Sequence, residues 1–109
     1  MYIPDKGDIV SLDFDPSAGK EIMKRRPAYV ISQKIFNEHT GFAIVAPITS
    51  TVRNMQLEVV LSDELSTQGA ILLHQMKSLD FENRNVEFIE KAPPKIIGKV
   101  AGIAKAIIS

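Results

Sequence analysis

The sequence predicts a mainly β, α+β domain: a small, partly closed antiparallel barrel of five or six short strands with one C-terminal α-helix. Three observations carry that class. Short apolar runs recur between clusters of Gly, Pro, Asn and Asp, which is the pattern of strands joined by turns. Helical spacing is sustained only near the C-terminus, where Ile96, Ile97, Val100, Ile103, Ala104, Ile107 and Ile108 recur behind Pro93-Pro94, with proline suited to a helix start. The length of 109 residues fits one domain, with no repeat or linker to divide it.

The elements follow in order. Val10, Leu12 and Phe14 share one parity in Asp8–Phe14, so the first strand is expected to bury one face. Asp15-Pro16-Ser17-Ala18-Gly19 ends it, and about a dozen loop residues lead to Lys24-Arg25-Arg26-Pro27, a length more typical of a functional flap than of a passive connection. Ala28–Ser32 is the second strand, and Gln33–Glu38 holds a short helical turn. Phe42–Ala46 is apolar throughout, as in a strand covered on both faces, and Pro47 is expected to stop it. Leu57–Leu61 and Ala70–Leu73 are the fourth and fifth strands, the latter opening into the polar His74-Gln75-Met76-Lys77-Ser78. Asp80–Asn85 is a turn with Asp80 as its cap, and Val86–Ile89 is an edge strand.

Composition bounds the chemistry. The chain has no cysteine, which excludes disulfides and thiolate metal sites and suits a reducing compartment. No apolar signal core opens Met1-Tyr2-Ile3-Pro4-Asp5-Lys6 and no stretch reaches membrane-spanning length, so the expected location is the cytoplasm, with no membrane partner. The formal net charge is zero. Any nucleic-acid binding must therefore come from a local patch, not a global field. That patch is expected from Lys20, Lys24, Arg25, Arg26 and Arg53, with the balancing acids Asp63, Glu64, Glu82, Glu87 and Glu90 elsewhere.

Arg26 stands out. Proline biases its predecessor toward extended backbone and suits the first residue of a strand, so Arg26 is expected at the mouth of the second strand. A fixed guanidinium there matches a phosphate with two parallel hydrogen bonds. The two histidines, His39 and His74, have no ligand spacing beside them, so neither a metal nor any other cofactor is expected. His39 sits in a polar turn and reads as solvated.

Gly7-Asp8-Ile9-Val10, Asp13-Phe14-Asp15-Pro16, Gly19-Lys20-Glu21, Arg26-Pro27-Ala28, Ala46-Pro47-Ile48-Thr49 and His74-Gln75-Met76-Lys77-Ser78, in that order, resemble the MazF/PemK/Kid family of toxin endoribonucleases. The resemblance runs from about Pro4 into the terminal helix. It implies an SH3-like barrel of the CcdB/MazF type, a homodimer, metal-free and sequence-specific cleavage of single-stranded RNA, and neutralisation by a cognate MazE-like antitoxin. It also implies catalytic roles for Arg26, in the Arg-Pro motif, and Thr49, after the Pro-x step. Glu21 matches an acidic flap residue near bound RNA, and Gln75 matches the glutamine of the fifth-strand motif. Lys20 stands where several members carry histidine, and His74 where many carry a carboxylate. Lys20, Glu21, Lys24, Arg25, Ser50, Arg53, His74 and Gln75 form the expected substrate-binding set.

Metal-free cleavage implies 2′-hydroxyl attack on the adjacent phosphorus, leaving 2′,3′-cyclic phosphate and 5′-hydroxyl ends. An arginine above pKa about 12 is a poor proton-transfer group, so Arg26 is assigned charge stabilisation. His74, ordinarily near pKa about 6.5, lies in the range for proton transfer, against the alternative of a histidine that only binds a base. A second reading of the same fold is a CcdB-like DNA gyrase poison without enzymatic activity. That action depends on a C-terminal tryptophan-containing tail, and this chain has no tryptophan and ends Ala106-Ile107-Ile108-Ser109. A catalytically dead RNA- or antitoxin-binding relative ranks last, because Arg26 and Thr49 are retained.

Overall fold

A computed structural model describes residues 1–15 and 24–109. Seven strands form one antiparallel, barrel-like sheet that does not close: β1 (Asp8–Asp15), β2 (Lys24–Val30), β3 (Ala43–Thr49), β4 (Glu58–Val60), β5 (Ala70–Leu72), β6 (Lys77–Leu79) and β7 (Glu87–Lys91). Their order is β4-β5-β3-β2-β1-β7, with β6 also on β3. A short helix α1 (Lys34–Thr40) links β2 to β3, and α2 (Pro94–Ile108) ends the chain. The expected architecture holds, and five local expectations change.

The first two concern prolines. β2 starts at Lys24, so Arg26 and Pro27 lie inside a strand, opposite Leu12 and Ser11. β3 runs through Pro47, which pairs with Ala28. Both are tolerated because of where their nitrogens point. Ile31 N–H donates to the Ile44 carbonyl at 2.8 Å, so odd residues of β2 and even residues of β3 turn their backbone groups toward each other. Pro27 therefore aims its nitrogen at β3 just beyond the last β2–β3 pair, Ala28–Pro47. Pro47 aims its nitrogen at the other edge, between β6, which ends at Val45, and β5, which begins at Ile48. Neither missing donor interrupts a ladder.

The third change is at the end of β5. Leu73–Gln75 is a 3-10 turn, and Lys77–Leu79 returns to pair with β3. The fourth is the Asp80 turn, where the carboxylate accepts from Asn83 Nδ2 and Arg84 Nε, both at 3.0 Å, in place of capping a helix.

Alternation gives the sheet two apolar faces. Ile9, Tyr29, Ala46, Ile48, Val59 and Ile71 pack on one, beneath Ile96, Val100 and Ala104 of α2. Val10, Leu12, Phe14, Ala28, Val30 and Val45 pack on the other, with Leu79 and Phe81. The first strand thus buries residues of both parities where one was expected. Tyr29 is fully buried with no partner for its hydroxyl, and burial, followed by the Asp8 charge, pushes that phenol up to about 12. Among the described residues no helix is long and apolar enough to cross a membrane.

Two contacts hold the β4–β5 side in place. Glu90 accepts hydrogen bonds from the Ser66 and Thr67 backbone N–H groups and from both hydroxyls, at 2.7 to 3.1 Å. Gly69 follows, with φ at +122°, its carbonyl accepting from Leu61 N–H at 2.9 Å. A Cβ at Gly69 would lie 2.0 Å from the Thr49 carbonyl oxygen and 2.9 Å from its carbon. Only glycine permits this approach.

Gly69→Ala should therefore lower stability by at least about 2 kcal/mol, from strain and backbone collision together. Gly98→Ala, in α2 with nothing within 4 Å of the new methyl, should raise stability by about 0.5–1 kcal/mol. Urea unfolding of both variants checks the pair; equal effects would refute the Gly69 contact. Burial pulls the Glu90 pKa upward, but the Thr67 and Ser66 hydrogen bonds outweigh it and lower it from 4.5 to about 2. The charged form is the stabilised one, so its contribution is full above pH 4.5 and fades as pH falls toward 2. The gap in melting temperature between wild type and Glu90→Gln should narrow over that window, and a constant gap would exclude a role for the charge.

Candidate active site

Arg26 follows the parity of Ala28 and Val30, and Thr49 that of Pro47 and Val45, so both project from the sheet face opposite α2. Each lies two residues past the Ala28–Pro47 pair, at the same end of the same ladder. Two residues 23 positions apart are thereby brought together by register alone. Arg26 is exposed, and its guanidinium makes no hydrogen bond or ion pair among the described residues. Thr49 is half-buried, and its Oγ1 accepts the Thr51 N–H at 3.2 Å. That contact uses one lone pair and leaves the hydroxyl proton to donate elsewhere.

Beside Thr49 lies a cleft of about 180 Å³. Arg53, His74 and Gln75 line it together with Thr49. His74 and Gln75 come from the 3-10 turn between β5 and β6, and the Gln75 amide nitrogen is 3.4 Å from His74 Nε2. Ser50 is exposed directly after Thr49, outside the cleft lining. His39, on α1, is exposed and lies outside the cleft.

Arg25 is placed differently from its neighbour. Strand alternation turns it to the other face, where Nη2 donates to the Ser11 carbonyl at 2.9 Å, the Asn85 carbonyl at 2.7 Å and Glu87 at 3.0 Å. Nη1 reaches Asp13 at 3.3 Å and Nε the Ser11 hydroxyl at 3.2 Å. Its donors are committed to β1, β7 and the preceding turn, so it ties strands together and does not join the Arg26 group. Lys20 and Glu21, and the flap expected between Asp15 and the basic triplet, lie outside the described residues, as does the Lys24 side chain. Among the described residues no three His, Asp or Glu side chains are grouped to hold a metal.

Glu58 also belongs to the cleft, and Lys77 shares the sheet face of Arg26 without lining the cleft. Glu58 pairs across from Leu72 on the Thr49 side of β4–β5 and is 7% exposed. Its Oε1 accepts the Arg53 and Asn54 backbone N–H groups at 3.1 and 3.0 Å, with Asn54 at φ +54°. Besides the basic groups expected to form a locally positive patch, the cleft holds this carboxylate next to Arg53. The signal was a lone acid inside the apolar run Leu57–Leu61. Lys77, opposite Val45, shares the face of Arg26 and holds its Nζ 4.8 Å from the centre of the Phe14 ring. It lay within a motif already singled out, without a role.

Residues 5–108 match the family described as PemK-like, MazF-like toxin of type II toxin-antitoxin system. The chain is 39% identical over 83 residues to the endoribonuclease toxin MazF of Escherichia coli K12, spanning 76% of this chain and 74% of that one. It is 28% identical over 109 residues to the endoribonuclease PemK of Escherichia coli, spanning 96% and 82% of the two chains. A MazE-MazF crystal structure from Deinococcus radiodurans superposes with a TM-score of 0.91 at 35% identity, covering 99% of this chain and 97% of that one. With its sheet, its terminal helix and its Arg26–Thr49 end all in place, the chain belongs to the PemK-like, MazF-like toxin family of type II toxin-antitoxin systems.

Proposed function

We propose that this protein is a toxin endoribonuclease that cuts single-stranded RNA in a sequence-specific, metal-independent reaction. The observation that carries the reading is the convergence of Arg26 and Thr49 at one end of the β2–β3 ladder, next to the cleft that holds His74. The named endoribonuclease relatives support the activity.

The ribose 2′-oxygen attacks the adjacent phosphorus while its proton passes to a base, and the P–O5′ bond breaks as the departing oxygen gains a proton. One fragment ends in a 2′,3′-cyclic phosphate and the other begins with a 5′-hydroxyl. DNA binds without reacting, because it lacks the nucleophile. The Arg26 guanidinium takes two non-bridging oxygens and stabilises the charge of the phosphorane. The Thr49 hydroxyl donates to the same group. His74, near enough to Gln75 to be oriented by it, is the side chain on the cleft suited to moving a proton near neutrality. Arg53 and Gln75 hold the flanking nucleotides.

The partner that restrains the activity is an antitoxin of the MazE kind, as in the MazE-MazF assemblies that this chain resembles. A homodimer is the working form. Ile107, 41% exposed, and Ile108, 77% exposed, end α2, and Ile108 lies beside the exposed Ile35 and Phe36 of α1, leaving apolar surface for a second copy to cover. The reaction belongs in the cytoplasm, where RNA and antitoxin are present.

Arg26→Ala should abolish cleavage with an unchanged melting temperature, since its side chain is exposed and unbonded among the described residues. Thr49→Val should slow it by about 10²-fold, the loss expected for one donor to a developing oxyanion. Activity should persist in excess EDTA and yield cyclic-phosphate ends. Full activity of a folded Arg26→Ala protein, or 5′-phosphate products, would falsify the mechanism.

A further inference from the structure

We propose that the cleft beside Thr49 is a base pocket in which Glu58 Oε2 accepts from the exocyclic amino group of a nucleotide next to the cut, so that adenine, cytosine or guanine is taken there and uracil is disfavoured. The inference rests on the ribonuclease reading and adds to it a residue that sets specificity.

The cleft's size, walls and charge all point that way. At about 180 Å³ it is smaller than the ~300–1,000 Å³ of a drug-sized site, and it suits one ring system at most. Met55 and Leu72 give it apolar surface against which a planar base can lie, and a thioether beside an aromatic ring is a favourable contact. Its acid disfavours a phosphate seated against Glu58 itself. A phosphate would bring negative charge onto a carboxylate that is nine-tenths buried, and like charges at low dielectric repel strongly. A base edge brings no such charge.

Glu58 is also held ready. Two backbone N–H groups occupy Oε1, which fixes the carboxylate plane and exhausts that oxygen. Glu58 lines the cleft, and its Oε2 makes no hydrogen bond among the described residues. An oxygen with open lone pairs in a nearly buried position favours a ligand that donates to it. Adenine, cytosine and guanine each present an N–H₂ group on the edge that single-stranded readers use. Uracil places carbonyl oxygens on either side of its one N–H, and these face the carboxylate unfavourably. Thr49 shares the cleft, so the base read there belongs to a nucleotide at or beside the scissile phosphate.

Glu58→Gln separates recognition from folding. The amide oxygen can keep both backbone N–H bonds, while the second position changes from acceptor to donor. A random RNA pool is cut by the full-length wild type and by the variant, and the 5′ ends of the fragments are sequenced. The expected result is that wild type disfavours uracil by tenfold or more at one position within two nucleotides of the cut. Glu58→Gln should relax or invert that single preference and leave the other positions alone. A second measurement needs no variant: replacing the base at that position by its counterpart lacking the amino group (inosine for guanosine, purine riboside for adenosine) should slow wild-type cleavage by a similar factor. An unchanged base profile in a Glu58→Gln protein of wild-type melting temperature overturns the pocket, as does equal cleavage of the amino-free substrate. A wild-type protein that cuts no RNA at all overturns the ribonuclease reading itself, and the pocket with it.

Discussion

The backbone hydrogen-bond accounting of β3 governs the rest of this molecule. Buried N–H and C=O groups must be paired, and proline supplies no N–H to pair. β3 meets that requirement by changing partners along its length: β6 and β2 over its first part, β5 over its last. Pro47 falls in the gap on one edge and Pro27 faces the edge that β3 has just left. The departure opens the sheet at one end, and Arg26 and Thr49 stand at that opening. A sheet paired continuously through this point would leave no open end for the two side chains to share.

The two faces divide the work. α2 covers the Ile9–Tyr29–Ile71 face with Ile96, Val100 and Ala104, the face opposite to the one from which Arg26 and Thr49 project. The opposite face keeps a second apolar cluster near its middle and places Arg26, Thr49 and Glu58 toward its open side. Charge and packing are thus kept apart by the period-2 rule of a strand. Arg25 and Arg26 show it most economically. Adjacent in sequence, one is bonded to five acceptors and the other is free among the described residues.

Much of this was legible beforehand. Strand periodicity and the proline-led helix pointed to the architecture, and the Arg-Pro and Pro-x-Thr steps to the two residues that the fold sets at one end of the β2–β3 ladder. The errors share a cause. Prolines were read as strand ends because a sequence shows the missing donor but not the direction in which it points. Arg25 was grouped with Arg26 because nearness along the chain conceals that strand neighbours face opposite ways. Glu58 was lost inside an apolar strand, where its value depends on the loop folded onto it. Gly69 carries no mark in the sequence of its close approach to Thr49, twenty positions earlier, whose carbonyl lies within touching distance of the missing Cβ.

The Arg25 bonds bear on how this lineage tolerates change in length. They join β2 to β1, to β7 and to the Asn85 carbonyl, so the strand carries its own anchor for its register. Residues gained or lost upstream of Lys24 leave that anchor, and hence Arg26, where it is. A single residue gained or lost between Arg25 and Ala28 exchanges faces for whatever stands at position 26 and withdraws the guanidinium from Thr49. Relatives are therefore expected to drift freely in the length of the first connection while holding the Arg-Pro spacing constant, which lets one scaffold present very different loops to RNA without rebuilding its chemistry.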